Sequence, residues 1–183
     1  MRIAARLLIL AFLGVTGCGD LSDSVSYDEF AGAEAMSATE LSAHVDVRAV
    51  DVRFPEDNPE KSGKILWEAF ANNPHESSFN SVALTEQSND EYWEALKSAI
   101  LERAAALPAQ HEGLARFLES VYPHSWALLI PVASYAVRVG REPAWVIIGK
   151  WEGRGDRPLG LSHIHMWLIS GASGEILAEE RCM

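Results

Sequence analysis

Cysteine is scarce in this chain of 183 residues: Cys18 and Cys182 are too few for a disulfide scaffold. Long hydrophobic runs are scarce as well. The longest, from Arg6 to Gly17, holds roughly a dozen residues, whereas a membrane-spanning helix needs about 20, so a stable transmembrane segment fails on length. Basic residues are outnumbered, with 15 Lys and Arg against 26 Asp and Glu and a formal net charge of -11. Affinity for nucleic acid comes largely from basic side chains that neutralise phosphates, and no Lys/Arg cluster is visible along the sequence, so nucleic-acid binding is excluded as a partner class. Peripheral binding to anionic lipid is disfavoured for the same reason, and the acidity reads as solubility. Catalytic motifs are absent too: there is no Gly-x-Ser-x-Gly elbow, no His-Glu-x-x-His, no Walker loop, no dinucleotide fingerprint and no Cys-x-x-Cys. No catalytic or cofactor chemistry is written here as a linear motif.

What is present begins at the amino terminus. Arg2 and Arg6 form a basic start, Leu7 to Leu13 an apolar stretch, and small residues follow, which are the parts of a secretory signal. Val15-Thr16-Gly17-Cys18, directly behind the apolar run, resembles the cleavage and acylation box of bacterial lipoproteins. The resemblance implies a diacylglyceryl thioether on Cys18, cleavage between Gly17 and Cys18, and acylation of the new amino terminus. One acyl chain holds a protein reversibly while two or more hold it stably, so the modification would be a lasting anchor to the bacterial envelope. Gly19, rather than Asp, behind the lipidated residue favours the outer membrane over the inner. The mature chain would run from 18 to 183, or 166 residues, a comfortable length for a single domain, and its formal charge becomes -13 once Arg2 and Arg6 leave. Lipidation would leave Cys182 without an intramolecular partner: buried, paired between chains, or held by a metal.

Residues 18–38 are rich in Ser, Asp, Gly and Ala and read as a tether, its latter part helical, with a single domain over 39–183. Val45, Val47 and Ala49 alternate with Asp46 and Arg48, then Val50 and Val52 continue in the opposite phase, which predicts a strand with a bulge. Residues 55–63 carry breakers, 64–72 fit a short helix, and 73–87 read as loop. Ser88-Asn89-Asp90-Glu91 has the spacing of a capping box, and Trp93, Leu96, Ile100, Ala104 and Leu107 then share one helical face until Pro108. A second amphipathic stretch, with Leu114, Phe117, Leu118 and Val121, completes a helical hairpin. From 126 onward four β-rich segments (135–139, 144–151, 162–169 and 175–181) are joined by short Gly-containing links that suit hairpins. The expected fold class is α+β: a helical hairpin packed on one face of a three- to four-stranded antiparallel meander.

Ser170 to Glu175 resembles the Asp-Ala-x-Thr-Gly-Glu turn that joins the final strands of many small periplasmic α+β domains, including PepSY-like and cystatin-like ones. Ser170 stands where that pattern has Asp. A four-residue loop between Ser170 and Glu175 sets Ile169 against Ile176, Trp167 against Ala178, His165 against Glu180 and His163 against Cys182. Ile164, Met166, Leu168 and Leu177 then form a buried face, and His163 and His165 project from the other, opposite Cys182 and Glu180. Imidazole, thiolate and carboxylate can together complete a zinc or copper site, so His163, His165, Cys182 and Glu180 are the candidate metal ligands. Merely exposed or structural histidines are the simpler reading. Trp145 and Trp151 share a strand face and would stack on sugar rings if exposed, or form core if not. Arg154-Gly155-Asp156 matches the integrin-binding tripeptide, a coincidence in a bacterial lipoprotein. The expected function is a lipid-anchored envelope protein with a non-catalytic binding or structural domain and an envelope protein as partner. The alternative is a metal-binding protein, or a hydrolase whose site is assembled only in three dimensions.

Overall fold

A computed structural model describes residues 36–71, 79, 83–84, 86–121, 127–153, 159–160 and 163–181. Its architecture is α+β. The first helix, α1 (Ala38–Ala43), starts at a capping box in which Ser37 and Glu40 satisfy each other's backbone amides. It leads into β1 (Asp46–Phe54) and then α2 (Pro59–Phe70). Asn58 caps α2, its Oδ1 accepting from Lys61 N at 2.9 Å, and Pro59 occupies a first-turn position where its missing N–H costs nothing. Residues 59–63, expected to break structure, therefore open a helix. A short β2 (Ala83–Leu84) precedes the long α3 (Glu86–Ala105) and then α4 (Glu112–Ser120). Helix α3 is already under way at Ser88, so the capping box expected there is not its start.

Strands β3 (Ala127–Val139), β4 (Glu142–Gly153), β5 (Leu159–Gly160), β6 (His163–Ser170) and β7 (Ile176–Arg181) follow. The main sheet has five strands in the order β1-β3-β4-β6-β7, while β2 and β5 pair separately. From β3 to β7 the sheet is the antiparallel meander expected, but β1 joins it parallel to β3. The fold is thus a mixed sheet rather than a purely antiparallel one. A parallel neighbour needs a crossover, and here residues 55–126 supply it. The anticipated bulge in β1 lies between Ala49 and Arg53, where the register with β3 shifts.

Helices cover both sides of the sheet, not one. On the first side, Phe117 of α4 packs edge-on against Trp167 with centroids 5.5 Å apart. On that side too the Trp145 indole donates to Gln110 O at 2.7 Å, and Lys97 of α3 reaches Glu119 of α4. On the second side, Phe70 of α2 stacks on Tyr135 at 5.2 Å. This double cover explains β6, in which Met166 and Leu168 on the α2 side and Trp167 and Ile169 on the α3/α4 side are all buried. The expected core face of Ile164, Met166 and Leu168 is buried as anticipated. Leu177 is only half-buried and Ala178 takes its place inside, because β7 carries a bulge.

The β6–β7 turn has the anticipated geometry. Gly174 adopts φ +78, Gly174 N donates to Ser170 O, and Ser170 Oγ accepts from Ser173 N at 3.2 Å. Gly113 N, an orphan donor of the first turn of α4, bonds Gly171 O at 2.8 Å, so the turn completes the amino terminus of that helix.

Candidate functional site on the histidine side of the sheet

His163 and His165 lie two residues apart on β6 and project to the α3/α4 side, beyond the reach of Phe117 over Trp167. Their neighbours follow from the register. Trp151 of β4 is paired with His163, and Gly149 with His165. Gly149 carries no side chain where one would meet Leu129 and Trp167, its missing Cβ lying 3.0 Å from Trp167 Cζ3, and so leaves space for the Trp167 ring. His165 then stacks on Trp167 with centroids 3.9 Å apart and planes 26° from parallel, and His163 tilts over Trp151 at 4.8 Å. Two imidazole–indole pairs stand side by side on one sheet face.

The bulge decides which carboxylate joins them. Ile169 pairs with Ile176 as expected, but Leu168 pairs with Ala178, leaving Leu177 as the extra residue. A one-residue slip turns every later side chain to the opposite face. Glu179, paired with Trp167, comes to the histidine side, and its Oε2 lies 3.4 Å from His165 Nε2. Glu180, the expected ligand, is paired with Met166 on the other side, where its carboxylate lies beside Gly63 of α2. Arg181 replaces Glu180 opposite His165. The proposed pairing of His163 with Cys182 involves a residue outside the described ones, as do Cys18 and the Arg154-Gly155-Asp156 tripeptide. Among the described residues no group of three or more His, Cys, Asp or Glu side chains is arranged to hold a metal ion.

Electrostatics keep His165 neutral over much of the accessible range. Burial against Trp167 lowers its pKa below the usual imidazole value, and Arg181 pushes the same way, against the raising effect of Glu179. A neutral imidazole can accept or donate one hydrogen bond, or take up a proton. Both histidines are partly buried, His165 with 20% of its side chain exposed, and Glu179 is 58% exposed, so the group is a surface on a sheet, with a firm aromatic floor and a wet rim. Trp145, on the same strand face as Trp151, is fully buried with its indole nitrogen satisfied, so these two tryptophans do not form a sugar-stacking pair. Sequence reasoning missed Glu179 and Arg181 because the bulge hides them. It also missed Trp167, whose spacing of two from His165 was a readable signal.

A second polar group lies on the α2 side. Tyr135 donates to Asp46 Oδ2 at 2.8 Å, Arg48 Nε reaches the same oxygen at 3.2 Å, and the guanidinium sits 5.5 Å over the Tyr135 ring. With Phe70 on Tyr135 this is a braced corner that ties β1 to β3 and α2. Its groups are consumed by one another, which marks it as structural. No family model matches this sequence, and no curated protein or solved structure matches it significantly.

Proposed function

We propose that the protein is a lipid-anchored lipoprotein of the bacterial cell envelope whose α+β domain binds another envelope component without catalysis. The observation that carries the reading is the leader: a basic start, a short apolar run and Val15-Thr16-Gly17-Cys18 in immediate succession. No helix among the described residues is long and apolar enough to cross a membrane, and the reading assigns attachment to acyl chains on Cys18. Support for a binding role comes from the histidine side, where partly exposed imidazoles with polar edges stand on indole rings, a composition suited to contact surfaces. Cys18→Ser is the test. It should abolish incorporation of labelled fatty acid and shift the protein out of the membrane fraction; undiminished labelling refutes the anchor. Fractionation of the parent should place it in the outer membrane, following Gly19.

A second reading, a zinc- or copper-dependent protein, rests on one observation: His163 and His165 project from the same face of one strand. Elemental analysis of untagged protein after exposure to zinc and to copper tests it. Metal well below one ion per chain removes it.

A further inference from the structure

The parallel pairing of β1 with β3 sets Arg53 directly against Arg138. Register partners on neighbouring strands project to the same face, and the strands lie about 4.8 Å apart, so the two arginine side chains leave the sheet from neighbouring positions on one face. Like charges directly opposite one another destabilise a sheet. Both side chains are exposed, and among the described residues neither takes part in an ion pair or hydrogen bond. Arg48 supplies the contrast, since on the same strand it is bound by Asp46 and packed over Tyr135. The spacing of the two backbone positions is held by a hydrogen bond just beyond them. Gly140 N donates to Phe54 O at 2.9 Å, stapling the end of β1 to the β3–β4 turn immediately beyond both arginines.

The surroundings select the ligand. Asp51, Glu56, Asp57 and Glu142 are exposed around this end of the sheet, and the chain is acidic throughout. An extended polyanion laid across such a surface would meet more repulsion than attraction, whereas a small anion needs only the two guanidiniums. Each guanidinium presents a planar fork of N–H donors. A carboxylate, planar and singly charged, satisfies one fork. A tetrahedral oxyanion with two negative charges satisfies both and neutralises the pair. We infer that Arg53 and Arg138 form a binding site for a small, soluble, doubly charged oxyanion of the phosphate class, at the end of the sheet marked by the Gly140-Arg141 turn.

The site is separate from the histidine face. It lies at the carboxy-terminal ends of β1 and β3, whereas His163 pairs with Trp151 near the carboxy-terminal end of β4, which is the opposite end of the sheet. It also stands independently of the lipid anchor.

The test uses the full chain at low ionic strength, titrated with inorganic phosphate by calorimetry and followed by thermal melting. Phosphate should bind saturably and raise the melting temperature of the parent. Arg53→Gln and Arg138→Gln should each weaken phosphate binding about tenfold or more, the scale of a lost charged hydrogen bond. Each should also raise the melting temperature without phosphate, since repulsion is relieved. Arg48→Gln, which removes the same charge from a guanidinium already bound to Asp46, should leave phosphate affinity unchanged. Absence of saturable binding to the parent overturns the inference. So does an equal loss in Arg48→Gln, which would mean diffuse charge attraction. Vesicles of phosphatidylglycerol form the last arm: sedimentation with vesicles that requires both arginines, without binding of free phosphate, overturns the soluble ligand in favour of a lipid headgroup.

Discussion

Gly113→Ala should destabilise the domain, although alanine is the better helix former. Gly113 is buried in the first turn of α4, and a Cβ built there would lie 2.3 Å from Ser170 O, 2.6 Å from Gly171 O and 2.7 Å from Gly174 N. All three are backbone atoms of the tight turn between β6 and β7, so no side chain can swing aside. Helix α4 must withdraw by roughly 1 Å to restore ordinary contact, and overpacking of this kind costs about 1–3 kcal/mol. The withdrawal also stretches the Gly113 N to Gly171 O bond, now 2.8 Å, whose loss costs about 0.5–1.5 kcal/mol, and it lifts Phe117 from Trp167. Against this stands a helix-propensity gain of at most about 1 kcal/mol. The net expectation is a loss of about 1–3 kcal/mol, set by the overpacking and hydrogen-bond costs less the propensity gain. Urea unfolding followed by tryptophan fluorescence reads it directly: with a slope of about 1.5 kcal/mol/M, the midpoint falls by roughly 1–2 M. Ala115→Gly in the same helix measures the propensity contribution alone. A Gly113→Ala midpoint equal to or above that of the parent, with an unchanged slope, would falsify the close packing of helix on turn.

Leu168, fully buried between Val146 and Ala178, should not tolerate Asp: the lost side-chain burial of about 1.5–3 kcal/mol adds to an uncompensated carboxylate in the core, and a melting curve like the parent's would refute the face assignment. Arg103→Met should lower the urea midpoint by an amount equivalent to about 1–3 kcal/mol, because the guanidinium donates to the carbonyls of Ser42, Ala43 and Val45 where α1 turns into β1. Amide exchange in residues 38–45 should rise most, and uniform protection would show that the clamp is idle. His165 has a pKa lowered by burial, so the folded state binds fewer protons than the unfolded chain as pH falls through the ordinary imidazole range. Its contribution is present above pH 6.5, the unfolded value, and is lost as pH drops towards the depressed folded value. His165→Gln should therefore flatten the stability profile between neutral and mildly acid pH, and an unchanged profile would sink the attribution.

Local signals were legible where local physics decides. Pro108, the apolar stripes of Trp93 to Leu107 and Leu114 to Val121, and the Gly174 turn all act within a few residues, and the two helices and the turn lie where these signals put them. The partner of β1 was not legible. Alternation at Val45 to Ala49 shows that a strand forms, but says nothing about which edge it joins across a long crossover. The covering of both sheet faces was written in β6, whose run from Met166 to Ile169 lacks the polar alternation of a half-exposed strand. The two histidines at its start hid that run. Arg53 and Arg138 are far apart in the chain, so scanning for consecutive basic residues could not bring them together.

The histidine side shows how a single backbone irregularity controls chemistry. A four-residue turn fixes only the first pair beyond it, Ile169 with Ile176, and every later pairing inherits whatever happens next. Leu177 is apolar and fits either an inward or a bulged position, so the sequence offers no penalty that would reveal the bulge. Its consequence is nonetheless complete: Glu179 exchanges places with Glu180, and Arg181 arrives opposite His165. With Glu180, His165 would have faced a carboxylate in direct register, as a metal site requires. With Arg181 there, an approaching cation meets a positive charge, and the nearby Glu179 is already engaged with His165 Nε2. The imidazoles are left against indole rings, His165 stacked on Trp167 and His163 tilted over Trp151, and no carboxylate stands in direct register with His165.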